Sequence, residues 1–117
     1  MKSKDGALKW IPLYVDKWLW GSTRIELGPD ERGVWVDLMA LAGKDDGYIR
    51  ANEGVPYASQ QLAGMLCISI ELLERTIEKC KRVGKLIEHE NHTLYITNWR
   101  EYKLSKRHQR RFEEDEK

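Results

Sequence analysis

Two helical patterns in the middle of the sequence are separated by only about three residues, so the two helices must lie directly beside each other. Ser59 offers an N-cap to the first, short helix, which carries apolar residues on one face. Ser69 offers an N-cap to the second helix, predicted over roughly 69–83 and ended by Gly84 as a C-cap residue. The buried stripe of this second helix follows helical spacing: Ile70, Leu72, Leu73, Thr76, Ile77, Cys80 and Val83. This pair of helices indicates a helix-turn-helix.

A longer helix is predicted upstream of this pair. Gly28 can cap it, Pro29 suits the first helical position, and the acids that follow complement the positive end of the helix. The pattern ends near Gly43 and is apolar around most of its circumference, which is typical of a central buried helix. Its expected core residues are Val34, Trp35, Val36, Leu38, Met39, Leu41 and Ala42.

Short strands are predicted between and after these helices. Asp45-Asp46-Gly47 is typical of a turn, and Tyr48-Ile49 after it is predicted to be a short strand. Residues 86–90 and 93–97 are predicted to form a β-hairpin around Asn91-His92. The first strand can pair with this hairpin to make a three-stranded sheet.

This order of elements is that of a winged helix. We therefore predict a mainly α fold with a small antiparallel β-sheet (α+β), a β-hairpin wing and a basic C-terminal helix. Residues 9–20 are apolar and aromatic, and they fit either a short helix or an extended arm packed on the domain. The predicted parts are an N-terminal aromatic arm or helix at 1–27, a winged-helix core at 28–99, and a basic extension with an acidic end at 100–117.

Composition narrows the class of protein. A chain of 117 residues fits one domain, and no apolar run approaches the ~20 residues of a membrane span. The charged N-terminus lacks the apolar run of a secretory signal, so we expect a cytoplasmic protein with no membrane partner. Cys67 and Cys80 fit two reduced, buried thiols. We expect no metal and no cofactor, and, without a nucleophile–base pair or a phosphate-binding glycine loop, no enzyme.

Positive charge is concentrated near the C-terminus. Residues 99–112 contain six cations and one acid, and residues 113–117 contain four acids and one lysine. The six cations form what we call the basic stretch: Arg100, Lys103, Lys106, Arg107, Arg110 and Arg111. On a helix they would share one face within an arc of about 140°. This pattern predicts contacts with DNA phosphates, and the alternative is a solvated terminal helix that the acidic end partly neutralises.

Further DNA contacts are predicted on the second helix of the pair and on the wing. In a helix-turn-helix the second helix enters the major groove, which makes Arg75, Lys79 and Arg82 candidates. The alternative is a solvated face, because the spacing pairs Glu71 with Arg75 and Glu78 with Arg82 along the helix. His89 and His92 lie at the wing turn, where they are candidates for backbone or minor-groove contacts rather than for metal binding.

Several segments also resemble a known family. They are Trp10-Ile11-Pro12-Leu13-Tyr14-Val15-Asp16, Gly47-Tyr48-Ile49, Val55-Pro56-Tyr57 with Leu62-Ala63, and Leu94-Tyr95-Ile96-Thr97-Asn98-Trp99. Together they resemble the N-terminal domain of phage replisome organisers, a family related to the DnaD-type primosomal proteins. The resemblance implies a winged-helix module, DNA-binding or oligomerising, of a replication initiator. In the family a longer C-terminal part normally follows, which handles other DNA or helicase-loader contacts.

The expected partner is DNA, double-stranded rather than single-stranded, in the bacterial host cytoplasm or nucleoid. The rival hypothesis is a protein-interaction module that self-associates or docks another replication protein, such as a helicase loader, without reading DNA. Its sequence support is the aromatic N-terminal segment, since aromatic residues are enriched at homodimer interfaces. Most of the five tryptophans are expected in the core, and Trp20 is the one expected to be exposed.

Overall fold

The computed structural model describes residues 7–102 of the chain. These residues form helices and a small antiparallel sheet, so the predicted α+β class is confirmed. In chain order the elements are α1 (Val15–Trp20), α2 (Ser22–Glu26), α3 (Pro29–Gly43), β1 (Tyr48–Ile49), α4 (Ser59–Leu66), α5 (Ile70–Arg82), β2 (Leu86–Glu88) and β3 (Leu94–Ile96). The backbone is helical again from Trp99 to Tyr102.

Helix α3 begins and ends where the sequence predicts. Gly28 is its N-cap and Pro29 its first residue, and the Gly28 N–H donates to the Glu31 carboxylate at 2.8 Å. The helix packs on α5 and on the strands β1 and β3, which places it at the centre of the fold. Val36 is an exception to the predicted buried positions, because it lies on the exposed side of the helix.

Helices α4 and α5 form the predicted helix-turn-helix. Ser69 caps α5 by accepting a hydrogen bond from the Leu72 N–H at 3.1 Å. The N-cap of α4 is Ala58 rather than the predicted Ser59, which is the first helical residue instead. Cys67 ends α4 in the left-handed conformation, and this turns the chain sharply into α5.

The three strands form one antiparallel sheet in the order β1-β3-β2. Tyr48 pairs with Tyr95 and Leu86 pairs with Ile96, so the first strand joins the hairpin as predicted. The hairpin strands are shorter than predicted, because the chain turns over residues 89–93. The result is a winged-helix-like arrangement with the hairpin as the wing.

The core lies between α3, α5 and the inner face of the sheet. Its largest fully buried side chains include Leu38, Leu73, Ile49, Ile96 and Trp99. Cys80 is buried among them, as predicted.

The prediction that both thiols are buried is wrong for Cys67, which is exposed. The left-handed turn at the end of α4 takes its side chain off the apolar face of that helix.

The N-terminal segment combines both predicted alternatives. Residues 7–14 run without helix or strand along the domain, and the short helices α1 and α2 follow with no fully buried side chain. Trp10 is 44% exposed, so the prediction that it lies in the core is wrong, whereas Trp20 is exposed as predicted. Both outcomes follow because this segment covers the domain surface and is not itself covered.

Candidate nucleic-acid interface

The basic stretch begins at the end of the wing. Arg100 is exposed and directly follows Trp99, whose side chain has no exposed surface. The other predicted phosphate contacts lie outside the described residues: Lys103, Lys106, Arg107, Arg110 and Arg111. The position of the first cation is therefore set by the fold.

Four contacts anchor this starting point. The indole N–H of Trp99 donates to Asp46 Oδ1 at 3.2 Å, and its ring stacks on Tyr102 with centroids 5.2 Å apart. The hydroxyl of Tyr14 donates to the Glu101 carbonyl at 2.8 Å, and Lys17 Nζ lies 3.1 Å from the Glu101 carboxylate. Because Trp99 is buried and contacts both Asp46 and Tyr102, the exposed Arg100 is attached to a well-packed part of the domain.

On α5, two of the predicted DNA contacts are bound to α3. Arg75 Nε lies 3.0 Å from one carboxylate oxygen of Glu31 and Lys79 Nζ lies 2.8 Å from the other. Arg75 also reaches Asp30 at 2.6 Å. The predicted pairing of Arg75 with Glu71 is wrong, because the side chain turns across to the acidic first turn of α3. We call Asp30, Glu31, Arg75 and Lys79 the inter-helix ion cluster.

Glu31 is the buried centre of this cluster, with 2% of its surface exposed. Burial by itself would raise the pKa of its carboxyl group. The hydrogen bonds from Lys79, from the Gly28 N–H and from Arg75 outweigh that effect and lower the pKa below its ordinary value. The carboxylate is therefore ionised at neutral pH, and the two cations are engaged inside the protein.

The remaining outward side of α5 is rich in acids. Glu71, Glu74 and Glu78 are exposed there. Glu78 lies 3.8 Å from Lys81 rather than pairing with Arg82 as predicted. Arg82 is exposed and forms no ion pair within residues 7–102. Of the three predicted contacts on α5, Arg82 is thus the one whose charge is available without breaking the inter-helix ion cluster.

The two wing histidines have different surroundings. His92 Nδ1 lies 3.2 Å from Glu88, which also receives Lys81 at 3.0 Å. Hydrogen bonds from Lys81 and then from His92 lower the pKa of Glu88. His89 instead lies beside the rings of Tyr48 and Tyr95. No group of three or more metal-ligating side chains occurs within the described part of the chain.

Sequence reasoning missed the aromatic side chains on the outer face of the sheet. Tyr48 and Tyr95 are half-buried neighbours there, and Arg50 lies over the Tyr48 ring. The signal was present in the alternation Leu94-Tyr95-Ile96, which turns Tyr95 away from its two buried neighbours. Tyr48 lies beside Tyr95 only because of the register in which β1 pairs with β3, and spacing along the sequence does not predict that register.

No helix within residues 7–102 is long and apolar enough to cross a membrane.

Comparison with known proteins gives a match to one family. No curated protein and no solved structure shows a significant match. A family model described as N-terminal phage replisome organiser matches residues 25–117. The chain therefore belongs to the N-terminal phage replisome organiser family and has the role in replication initiation that this family implies.

Proposed function

We propose that this domain binds DNA, double-stranded in preference to single-stranded, through phosphate contacts made by the basic stretch. The observation that supports this most strongly is the run of six cations and one acid over residues 99–112, which begins at the anchored, exposed Arg100. Such a run attracts an anionic polymer and has little intrinsic sequence preference. In a replication-initiation family the corresponding polymer is DNA, met in the cytoplasm or nucleoid of the bacterial host.

The test is the salt dependence of duplex binding, measured by fluorescence anisotropy with a labelled DNA. Each phosphate contact contributes about 0.9 to the slope of log affinity against log salt. Replacing Lys106, Arg107, Arg110 and Arg111 with Ala should therefore weaken binding to all sequences alike and flatten the slope by up to about 4. An unchanged slope would refute the phosphate assignment.

A matched control lies directly beside these cations. Glu113, Glu114, Asp115 and Glu116 are four acids in the same terminal region. Their replacement with the corresponding amides removes four charges of opposite sign, so duplex affinity should rise. A fall in affinity would mean that the region acts through its structure rather than through its charge.

The contribution of α5 is tested at Arg82. Because Arg75 and Lys79 hold Glu31, replacing them would alter stability as well as DNA binding. Arg82→Ala removes a charge that no ion pair of the described residues uses, and Glu78→Gln is its control on the same helix. If α5 lies near DNA, the first change should lower affinity and the second should raise it. Equal affinities for both variants and the wild type would remove α5 from the interface.

A second candidate function is protein interaction, either self-association or docking of a replication protein such as a helicase loader. The observation that favours it is the exposed apolar surface of α1 and α2, where Trp20 is 75% and Ile25 81% exposed. Sedimentation over a range of concentrations tests self-association, with Trp20→Ser and Ile25→Ser expected to reduce it. A concentration-independent monomer mass would leave this surface without a role in self-association.

A further inference from the structure

The outer face of the wing sheet carries one row of large side chains across all three strands. Ile87 pairs with Tyr95, and Tyr95 pairs with Tyr48, so these residues lie side by side on β2, β3 and β1. Ile87 is 44% exposed and the two tyrosines are half-buried, whereas Leu94 and Ile96, the neighbours of Tyr95, are buried. The row thus lies on the face of the sheet opposite Leu94 and Ile96, where Tyr95 also packs against the edge of the core.

A third aromatic side chain joins the two tyrosines. The ring centroids of Tyr48 and Tyr95 are 4.8 Å apart, and the imidazole of His89 lies 5.9 Å from the first and 6.1 Å from the second. His89 is exposed, so one side of this group of rings is open to solvent. Grouped rings lose little further conformational entropy when they bind a flat ligand.

Arg50 adds a planar cation to the same surface. Its guanidinium carbon lies 4.0 Å from the centroid of the Tyr48 ring. The guanidinium donates two hydrogen bonds to the Asp45 carboxylate, one from Nε at 2.9 Å and one from Nη2 at 3.2 Å. This forked ion pair with Asp45 fixes the plane of the guanidinium, and the carboxylate largely neutralises the positive charge of Arg50. The Arg50 side chain is 18% exposed, so it offers a partly exposed planar group over Tyr48 rather than a free positive charge.

Polar groups surround these rings and the Arg50 guanidinium. A shallow depression of about 560 Å³ is lined by Tyr48, Arg50, His89, Glu90, Asn91 and Thr93. The side-chain oxygen of Asn91 accepts from the N–H and the hydroxyl of Thr93, which leaves its amide N–H groups directed to other acceptors. Glu90 is an exposed acceptor. Nucleobase edges carry complementary donors and acceptors, whereas a phosphate would be repelled by Glu90.

From this arrangement we infer that the outer face of the wing sheet binds unpaired bases of single-stranded DNA by stacking. We call the surface formed by Tyr48, Arg50, His89 and Tyr95 the stacking surface. It differs from the basic stretch in chemistry, and so the inference goes beyond the proposed duplex binding and does not depend on it. Stacking on aromatic side chains tolerates any base and depends little on salt, in contrast to phosphate contacts.

The test compares two single strands that differ only in their bases. A labelled oligothymidine of about 12 nucleotides and an abasic strand of the same length carry the same phosphates. At salt high enough to suppress phosphate contacts, the intact protein should bind the thymidine strand more tightly than the abasic strand. His89→Ala and Tyr48→Leu should each reduce thymidine binding by roughly 5- to 150-fold and abasic binding little.

Control variants separate stacking from misfolding. Tyr48→Phe keeps the ring and should keep the preference for the thymidine strand. Tyr57→Leu removes a half-buried tyrosine of the loop before α4 and should also keep it. His89 is exposed, and its ring contacts in the described residues are those with the two tyrosines, so His89→Ala should retain the wild-type circular dichroism and melting temperature.

Two results would overturn the inference: equal binding of thymidine and abasic strands by the wild type, or an unchanged preference in His89→Ala and Tyr48→Leu. Neither result affects duplex binding by the basic stretch, which is measured separately through its salt slope. Conversely, if the salt slope refuted duplex binding by the basic stretch while the protein still preferred the thymidine strand, the inference about the stacking surface would be unaffected. The two proposals can therefore fail independently.

Discussion

Replacing Glu31 with Gln tests whether the inter-helix ion cluster holds α3 to α5. The change keeps the volume and the acceptor for the Gly28 N–H, but it removes the charge that Arg75 and Lys79 share. Buried hydrogen bonds to charged groups contribute about 1.5–3 kcal/mol each, whereas exposed ion pairs contribute about 0–1 kcal/mol. Because the two cations are 51% and 37% exposed while Glu31 is buried, we take about 1 kcal/mol for each, or about 2 kcal/mol in all.

Urea denaturation followed by tryptophan fluorescence measures this loss directly at pH 7. A change of about 2 kcal/mol also corresponds to a fall in melting temperature of roughly 8–15 °C for a domain of this size. Asp30→Asn is the matched control, since it removes an exposed partner of the same Arg75 and should cost less than about 1 kcal/mol. A Glu31→Gln variant within about 0.5 kcal/mol of the wild type would refute the reasoning.

The difference in stability between the wild type and Glu31→Gln should depend on pH. The pKa of Glu31 in the folded protein lies below its ordinary value of 4.5. The stabilisation from its charge is therefore fully present above pH 4.5 and is lost as the pH falls through the folded-state pKa. The gap in stability between the wild type and Glu31→Gln should narrow as the solution is acidified below that value. A gap that widens on acidification would contradict the sign of the shift.

Three further changes have defined outcomes. Gly47 has φ +97°, and an added Cβ would lie 2.7 Å from the Trp99 ring, so Gly47→Ala should destabilise the domain by roughly 2–5 kcal/mol in urea denaturation. Ser69→Ala removes the cap of α5 and should cost about 1 kcal/mol in the same assay, whereas Ser69→Asp should be nearly neutral. A thiol reagent at pH 8 should modify the exposed Cys67 quickly and Cys80 slowly, because burial raises the pKa of Cys80 to about 11, and equal rates would contradict this burial.

Local signals made the helix boundaries and the order of elements predictable from the sequence. Gly28 with Pro29 marks the start of α3, and Ser69 marks the start of α5, because each satisfies backbone groups within a few residues of itself. The strand at Tyr48-Ile49 followed from the turn before it. These features depend on neighbours in the chain, and a single sequence contains them.

Long-range partners were not predictable in the same way. Spacing along α5 assigned Arg75 to Glu71, but its partners are 44 and 45 residues away in the first turn of α3. The choice between partners depends on how two helices pack, and the charge pattern of one helix does not contain that information. The stacking surface was missed for a related reason: the sequence predicts that the first strand joins the hairpin, but it does not predict the register that sets Tyr48 opposite Tyr95.

The contact between Tyr14 and Glu101 joins residues 87 positions apart. Leu8 donates from its backbone to Gly43, next to which Ile11 and the Trp99 ring also lie. In topological terms, the described chain nearly closes on itself, with its first and last elements on one side of the molecule. Fluorescent labels attached near Leu8 and near Tyr102 would therefore report on the same neighbourhood of the described domain.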